Sequence, residues 1–250
     1  MIIAYLTHDT RSLRACTLTC YSWYIAAVPH LHQTLSTCFD PWVCNSKWFN
    51  LIQCMHTLGL LPLVKVCWIR AGCSRSTVFS PQQFNPHILN QFLALTNVQE
   101  LGIDHLNIPS FMPVIQQYFG HFLPTVHSLT LREPKGSHRQ IIYFIGLFQH
   151  LEDLRLLYTW IGPQYEPVDD LTLVPPFTPP LQGWLLLANF MRVGLLKDMI
   201  DLLGGIQFRW VDFFGVDDMR LLLDGRMKML ETLRLYPTDP HGKEVFLKHM

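Results

Sequence analysis

Val126-His127-Ser128-Leu129-Thr130-Leu131 places apolar side chains at its first, fourth and sixth positions and polar ones between them. Its last three residues alternate as a strand with one buried face does, because successive strand side chains point to opposite sides. The pattern recurs along the chain. Leu63-Val66-Trp68 and Val98-Leu101-Ile103 come before it, and Leu151-Leu154-Leu156, Leu181-Trp184-Leu186, Ile206-Phe208-Trp210 and Leu230-Leu233-Leu235 come after, seven copies in all. Their starts lie 24 to 35 residues apart, the length of a strand, a turn and a helix.

The intervening segments read as helices. Ser80-Pro81 supplies a cap and a first-turn proline, and Ser110-Phe111-Met112-Pro113 opens another helix in the same way. Ser137 and Gln140 have capping-box spacing ahead of Ile141, Ile142, Phe144, Ile145 and Phe148. Leu195, Leu196, Met199, Ile200, Leu202 and Leu203 form a helical stripe that Gly204-Gly205 ends, and Asp217 caps a helix from Met219 to Leu223. Each strand offers about three apolar side chains, worth roughly 1.5 to 3 kcal/mol each when buried. Ordering the backbone costs about 1 to 2 kcal/mol per residue, so a lone unit cannot hold and the units must stack. The fold class expected is α/β: a solenoid with parallel strands lining the concave face and helices on the convex face. The competing doubly wound α/β domain lacks support, since no glycine-rich turn follows any strand.

Composition narrows the function. The 250 residues carry 19 basic and 19 acidic side chains; 15% are charged and 49% hydrophobic, which excludes a disordered chain. A pI near 7.2 argues against a nucleic-acid binder. The balance is uneven, because six basic residues against two acidic ones give residues 1–80 a charge of +4 and leave −4 for the rest. The repeat body should therefore favour a basic partner. The opening residues show no basic, apolar signal pattern, and the most apolar window, Leu51 to Ile69, contains Gln53, His56, Pro62 and Lys65, so neither secretion nor a membrane span is expected. All seven cysteines, Cys16 to Cys73, lie in the first third with no Cys-x-x-Cys among them. They read as reduced thiols of a cytoplasmic or nuclear protein, without a metal. No hydrolase, phosphate-binding or kinase motif occurs, and a non-catalytic protein without a cofactor is expected.

The head of the chain reads as two short helices. Asp9 or Thr10 caps the first, with Leu13, Cys16 and Cys20 on one face; the second begins near Ser22, with Trp23, Ala26 and Ala27 together, and ends at Pro29-His30. The stretch from Arg11 to Leu31, with Leu18, Cys20-x-x-Trp23 and Pro29-His30-Leu31 in that order, resembles the second and third helices of an F-box, in the style of fungal F-box proteins. The resemblance covers about 35 residues, and the chain begins just after the Leu-Pro-x-Glu stretch that usually opens the family, with Ile2, Ile3 and Leu6 at the remnant of the first helix. It implies a substrate-recognition subunit of a Skp-cullin-F-box ubiquitin ligase. Leu6, Leu13, Leu18, Cys20 and Trp23 would hold a Skp-type adaptor, and through it a cullin scaffold.

The repeats resemble the degenerate leucine-rich arrays found downstream of F-boxes. Leu106, Pro134 and Thr159 stand where a regular repeat has its Asn or Cys. On this reading residues 1–35 are truncated F-box-like helices, 36–62 a helical linker and 63–250 the leucine-rich solenoid, which would bind a protein substrate. Between the fourth and fifth copies, Pro163, Pro167, Pro175, Pro176, Pro179 and Pro180 mark a loop. Its Tyr165, Asp169, Asp170 and Phe177 are the candidate substrate contacts, and Pro176-Phe177-Thr178-Pro179 fits a Pro-x-x-Pro ligand. The alternative is a leucine-rich interaction scaffold unconnected to ubiquitination.

Overall fold

The computed structural model describes residues 3, 6, 9–38, 47–70, 86–157, 173–188, 195–203, 207–214 and 229–236. Two helices, α1 (Thr10–Thr17) and α2 (Tyr21–Leu31), precede a body of eight strands: β1 (Thr34–Cys38), β2 (Val66–Arg70), β3 (Glu100–Asp104), β4 (Ser128–Arg132), β5 (Asp153–Leu157), β6 (Trp184–Ala188), β7 (Trp210–Phe214) and β8 (Thr232–Tyr236). They form one sheet in the order β1 to β8, and every neighbouring pair is parallel. The strand order never reverses, as it must in a doubly wound sheet. Helices α3 (Lys47–Thr57), α4 (Pro86–Gln91), α5 (Ile108–Val114), α6 (His138–Ile145) and α7 (Leu195–Leu202) lie between strands.

The repeat is written into the backbone as well as the side chains. Except between β5 and β6, one carbonyl just ahead of a strand accepts the N–H groups of the next strand's first residue and of the residue before it: Gln33 from Lys65 and Val66, Lys65 from Gln99 and Glu100, Gln99 from His127 and Ser128, His127 from Glu152 and Asp153. Gly183 and Arg209 do the same for the last two strands. The turns after β3 and β4 also match. His105 and Glu133 both adopt left-handed backbone, at φ 56° and 49°, and their side chains pair at 3.0 Å. Leu106 and Pro134 turn inward and are buried, and the turns are joined through the backbone, with Lys135 N–H donating to the Leu106 carbonyl at 2.6 Å.

The core lies between the helices and one face of the sheet. Cys67, Ile69, Leu101, Ile103, Leu129, Leu131, Leu154, Leu156, Leu185 and Leu187 from the strands join Phe92, Phe111, Phe119, Phe122, Phe144 and Phe148 in one cluster. Phe119 sits at its aromatic centre, 5.1 Å from Phe92, 5.9 Å from Phe111 and 5.5 Å from Phe122. Burial of the Cys67 thiol pushes its pKa up to about 12, so it is an inert packing group there. Among the described residues no helix is long and apolar enough to cross a membrane.

Several expectations change. The sheet starts at Thr34, one strand before the seven copies, because the Leu35-x-Thr37 core pair carries a polar residue and does not stand out as apolar. Copies at 98, 126 and 151 hold in register, but three others shift by one residue. In β2 the buried set is Val64, Cys67 and Ile69; in β6 it is Leu185 and Leu187; in β7 Phe208 and Val211 are buried while Trp210 is 45% exposed. The segments Val66–Ile69 and Trp184–Ala188 are apolar at every position, so period-two alternation fits either frame. At β6 the spacing gains a residue, taken up by Leu181 in left-handed backbone at φ 44°.

Helix boundaries shift too. Helix α2 runs through Pro29 to Leu31, closed by His32 N–H donating to the Val28 carbonyl at 3.2 Å. A proline removes only one such bond, and here it falls in the last turn. Asn107, not Ser110, caps α5, and its carboxamide accepts from the Ser110 N–H. The capping box at Ser137 and Gln140 forms as its spacing predicts. Ser80-Pro81, Gly204-Gly205 and the Asp217 cap lie outside the described residues.

Candidate binding surfaces

Helices α1 and α2 carry the first surface. Asp9 caps α1, accepting from the N–H groups of Arg11 and Ser12 and from the Ser12 hydroxyl, and these bonds hold its carboxyl below the usual range. The helix pair closes on a core of its own: Ile3, Leu13, Cys16 and Ala27, with Leu6, Ala26 and Leu31 packed against it. Leu13 is wholly buried. The other apolar side chains face out. Leu18 is 87% exposed, Tyr21 77%, Ile25 53%, and Tyr24 and Trp23 are also exposed. Tyr21, Tyr24 and Ile25 are spaced three and four apart, so they line one side of α2. Cys20, the residue before α2, is exposed beside them. Of the five adaptor candidates, Leu6 and Leu13 thus build the small core, while Leu18 and Cys20 stand at the exposed turn between the helices and Trp23 is exposed in the first turn of α2.

The second surface is the sheet face opposite the core. Register places its side chains in rows across the strands. One row runs Trp68, Gly102, Thr130, Arg155, Leu186, Asp212 and Arg234. Another begins Arg70, Asp104 and Arg132, with Asp104 between two guanidinium groups at 3.7 Å each. Gly102 is required where it is, because a Cβ there would collide with the Trp68 ring lying across it. The shift in frame has a consequence for this face: Trp68, Trp184 and Trp210, read from sequence as core, all point to the open side.

At the far end of the face these side chains enclose a cleft of about 390 Å³, lined by Asp153, Trp184, Trp210, Asp212, Thr232 and Arg234. Asp153 Oδ1 accepts the Trp184 backbone N–H at 2.7 Å and rests on Gly183, where a side chain would displace it. The Arg155 guanidinium lies over the Trp184 ring, 4.7 Å from its centroid. Asp212 is 6% exposed. Burial raises its carboxyl above the ordinary value, against the opposing pull of Arg234 at 4.0 Å and a hydrogen bond from the Trp184 side chain. The signal available in sequence was the Asp212 carboxylate itself: one frame of Trp210-Val211-Asp212-Phe213 buries an acid, the other a valine.

The structure describes only the second part of the proline-rich loop. Tyr165, Asp169 and Asp170 lie outside the described residues. Phe177 is 46% exposed, but its N–H donates to the Gly146 carbonyl at 3.1 Å, and Pro175 packs so closely on Gly146 that no side chain would fit there. Pro179 is buried, so Pro176-Phe177-Thr178-Pro179 does not present both prolines to a partner. The described half of this loop is tied to the end of α6 and does not project. Among the described residues no three His, Cys, Asp or Glu side chains gather as a metal site would require.

Comparison of the chain with protein-family models, with curated proteins and with solved structures finds no match.

Proposed function

We propose that this chain is a non-catalytic substrate-recognition subunit of a Skp-cullin-F-box type ubiquitin ligase, in which α1 and α2 dock a Skp-type adaptor and an irregular leucine-rich solenoid presents its open sheet face to a protein substrate. The observation that carries it is the apolar surface of Leu18, Tyr21, Trp23, Tyr24 and Ile25, too large for a helix pair whose own core is four buried side chains. Contiguous exposed apolar side chains mark a protein-binding site. These residues fall in the stretch that resembles an F-box. The chain-order parallel sheet with helices against one face supports the solenoid half of the reading, since it leaves the other face for a partner.

Titration of the full chain with a purified Skp-type adaptor tests the proposal. Saturable binding is expected, weakened at least about tenfold by Leu18→Glu with the fold intact, as loss of one central apolar contact predicts. Absence of binding, or equal binding by the variant, would leave a leucine-rich scaffold unconnected to ubiquitination.

A further inference from the structure

The cleft at the C-terminal end of the open sheet face joins three features that solvation alone does not explain. Its floor is Asp212, a carboxylate almost wholly withdrawn from water. Its nearest basic group, Arg234 Nε, stands 4.0 Å away, beyond hydrogen-bond distance, with that side chain 55% exposed. The Trp184 indole donates one hydrogen bond to this carboxylate, whose two oxygens can accept several, so acceptor positions are left for a further donor. Its walls are two indoles, Trp184 and Trp210, on register-paired residues of neighbouring strands. Trp210 is nearly half exposed, a costly setting for the largest apolar side chain unless something covers it. The cleft opens on a body that carries the chain's excess of acid.

We propose that this cleft is a subsite for an arginine side chain from a protein partner, with the guanidinium donating to Asp212 and stacking on the exposed Trp210 indole. Arginine suits the site because a planar guanidinium can donate to a carboxylate along its edge and lie against an aromatic ring with its face. The molecule already contains half of that arrangement, since Trp184 carries the Arg155 guanidinium on its ring. Asp153, drawn back onto the Trp184 backbone, adds negative charge at the rim. Arg234 is an internal competitor: it neutralises the carboxylate in part when the cleft is empty and can swing outward from its exposed position. This subsite rests on reading the open sheet face as the partner-binding surface, but it makes no use of the adaptor or of α1 and α2.

The test uses the full chain alone and three blocked tripeptides, acetyl-Gly-Xaa-Gly-amide with Xaa Arg, Gln or Glu, followed through the indole N–H signals of Trp184 and Trp210 by NMR. The Arg peptide should shift both signals and bind at least about tenfold tighter than the Gln peptide, the margin of a desolvated cation–aromatic contact plus a charged hydrogen bond. Asp212→Asn should bring the two within about twofold of each other, and Trp210→Ala should weaken the Arg peptide about tenfold. Arg234→Gln should strengthen it by removing the competitor. Equal binding of Arg and Gln peptides, tighter binding of the Glu peptide, or a preference for Arg that survives Asp212→Asn would each overturn the proposal. Trp210 is exposed, so its variant keeps the test decisive should Asp212→Asn fail to fold. Failure of the full chain to bind the adaptor, or adaptor binding unchanged by Leu18→Glu, with the arginine preference intact would refute the ligase reading and leave this subsite standing.

Discussion

Helices α1 and α2 and the sheet body divide their apolar side chains in opposite ways. The body sinks its strands and helices into a single core that runs from Leu35 to Val211, and its aromatic rings touch one another inside. The helix pair buries four side chains and leaves Leu18, Tyr21, Trp23, Tyr24 and Ile25 at the surface. Both regions are equally apolar to the eye. The difference lies in neighbours: each strand of the body is flanked by a further strand and a helix, whereas α1 and α2 pack chiefly on each other. Residues that a stacked array would bury are left over at the surface of the pair.

That contrast can be broken most severely at the body's centre. Phe119→Ala should cost about 3 to 5 kcal/mol in denaturant unfolding, since it empties the space among Phe92, Phe111 and Phe122. A loss under about 1 kcal/mol would mean that the core is not shared. Leu13→Ala should cost about 2 to 3 kcal/mol, confined to the helix pair. Hydrogen exchange would then quicken in residues 10–31 while the strand amides keep their protection, and uniform acceleration would show that the two regions unfold together. Gly102→Ala, on the open face, should cost about 1 to 3 kcal/mol by forcing the Trp68 ring off the sheet, read as a fall in melting temperature with a change in tryptophan fluorescence.

The smallest effects fall on the two surfaces proposed to bind partners. Leu18→Ser should leave the unfolding free energy within about 0.5 kcal/mol, as an exposed side chain supports little; a larger loss would make Leu18 part of the fold. Asp212 gives a pH-dependent difference. Its carboxyl titrates above 3.8 in the folded chain, so the folded state holds that proton more tightly than the unfolded one. The stabilisation is fully present below the unfolded value and is lost as pH rises through the folded one. Asp212→Asn, which lacks the carboxyl, should therefore gain stability relative to the parent as pH climbs from about 3 to 7, a trend that paired melting curves would show reversed or absent if the carboxylate were well satisfied.

Much of the body is legible in the sequence. Val98-Leu101-Ile103, Val126-Leu129-Leu131 and Leu151-Leu154-Leu156 alternate cleanly with polar residues, and each falls in the frame it suggests. The Ser137 and Gln140 box is equally direct, because a cap is a local exchange of hydrogen bonds among neighbouring residues. Trp184-Leu185-Leu186-Leu187 is not legible in the same way, since either set of alternate residues makes an apolar face. The Asp212 cleft was hidden for that reason. Its two tryptophans read as core in the sequence pattern, and Asp153 lies far from Asp212 in the chain.

What the sequence determines by itself is local: strand-forming alternation, caps, the period that makes single units unable to stand alone, and an apolar head. Those follow from short-range sterics, hydrogen bonding and the free energy of burial. The tertiary structure decides which face of an all-apolar strand turns inward, that a polar Thr37 still joins the core row, and that Leu18 faces out while Leu13 does not. These choices depend on what the neighbouring strand and helix leave room for, and a one-residue shift exchanges the two faces of a strand completely.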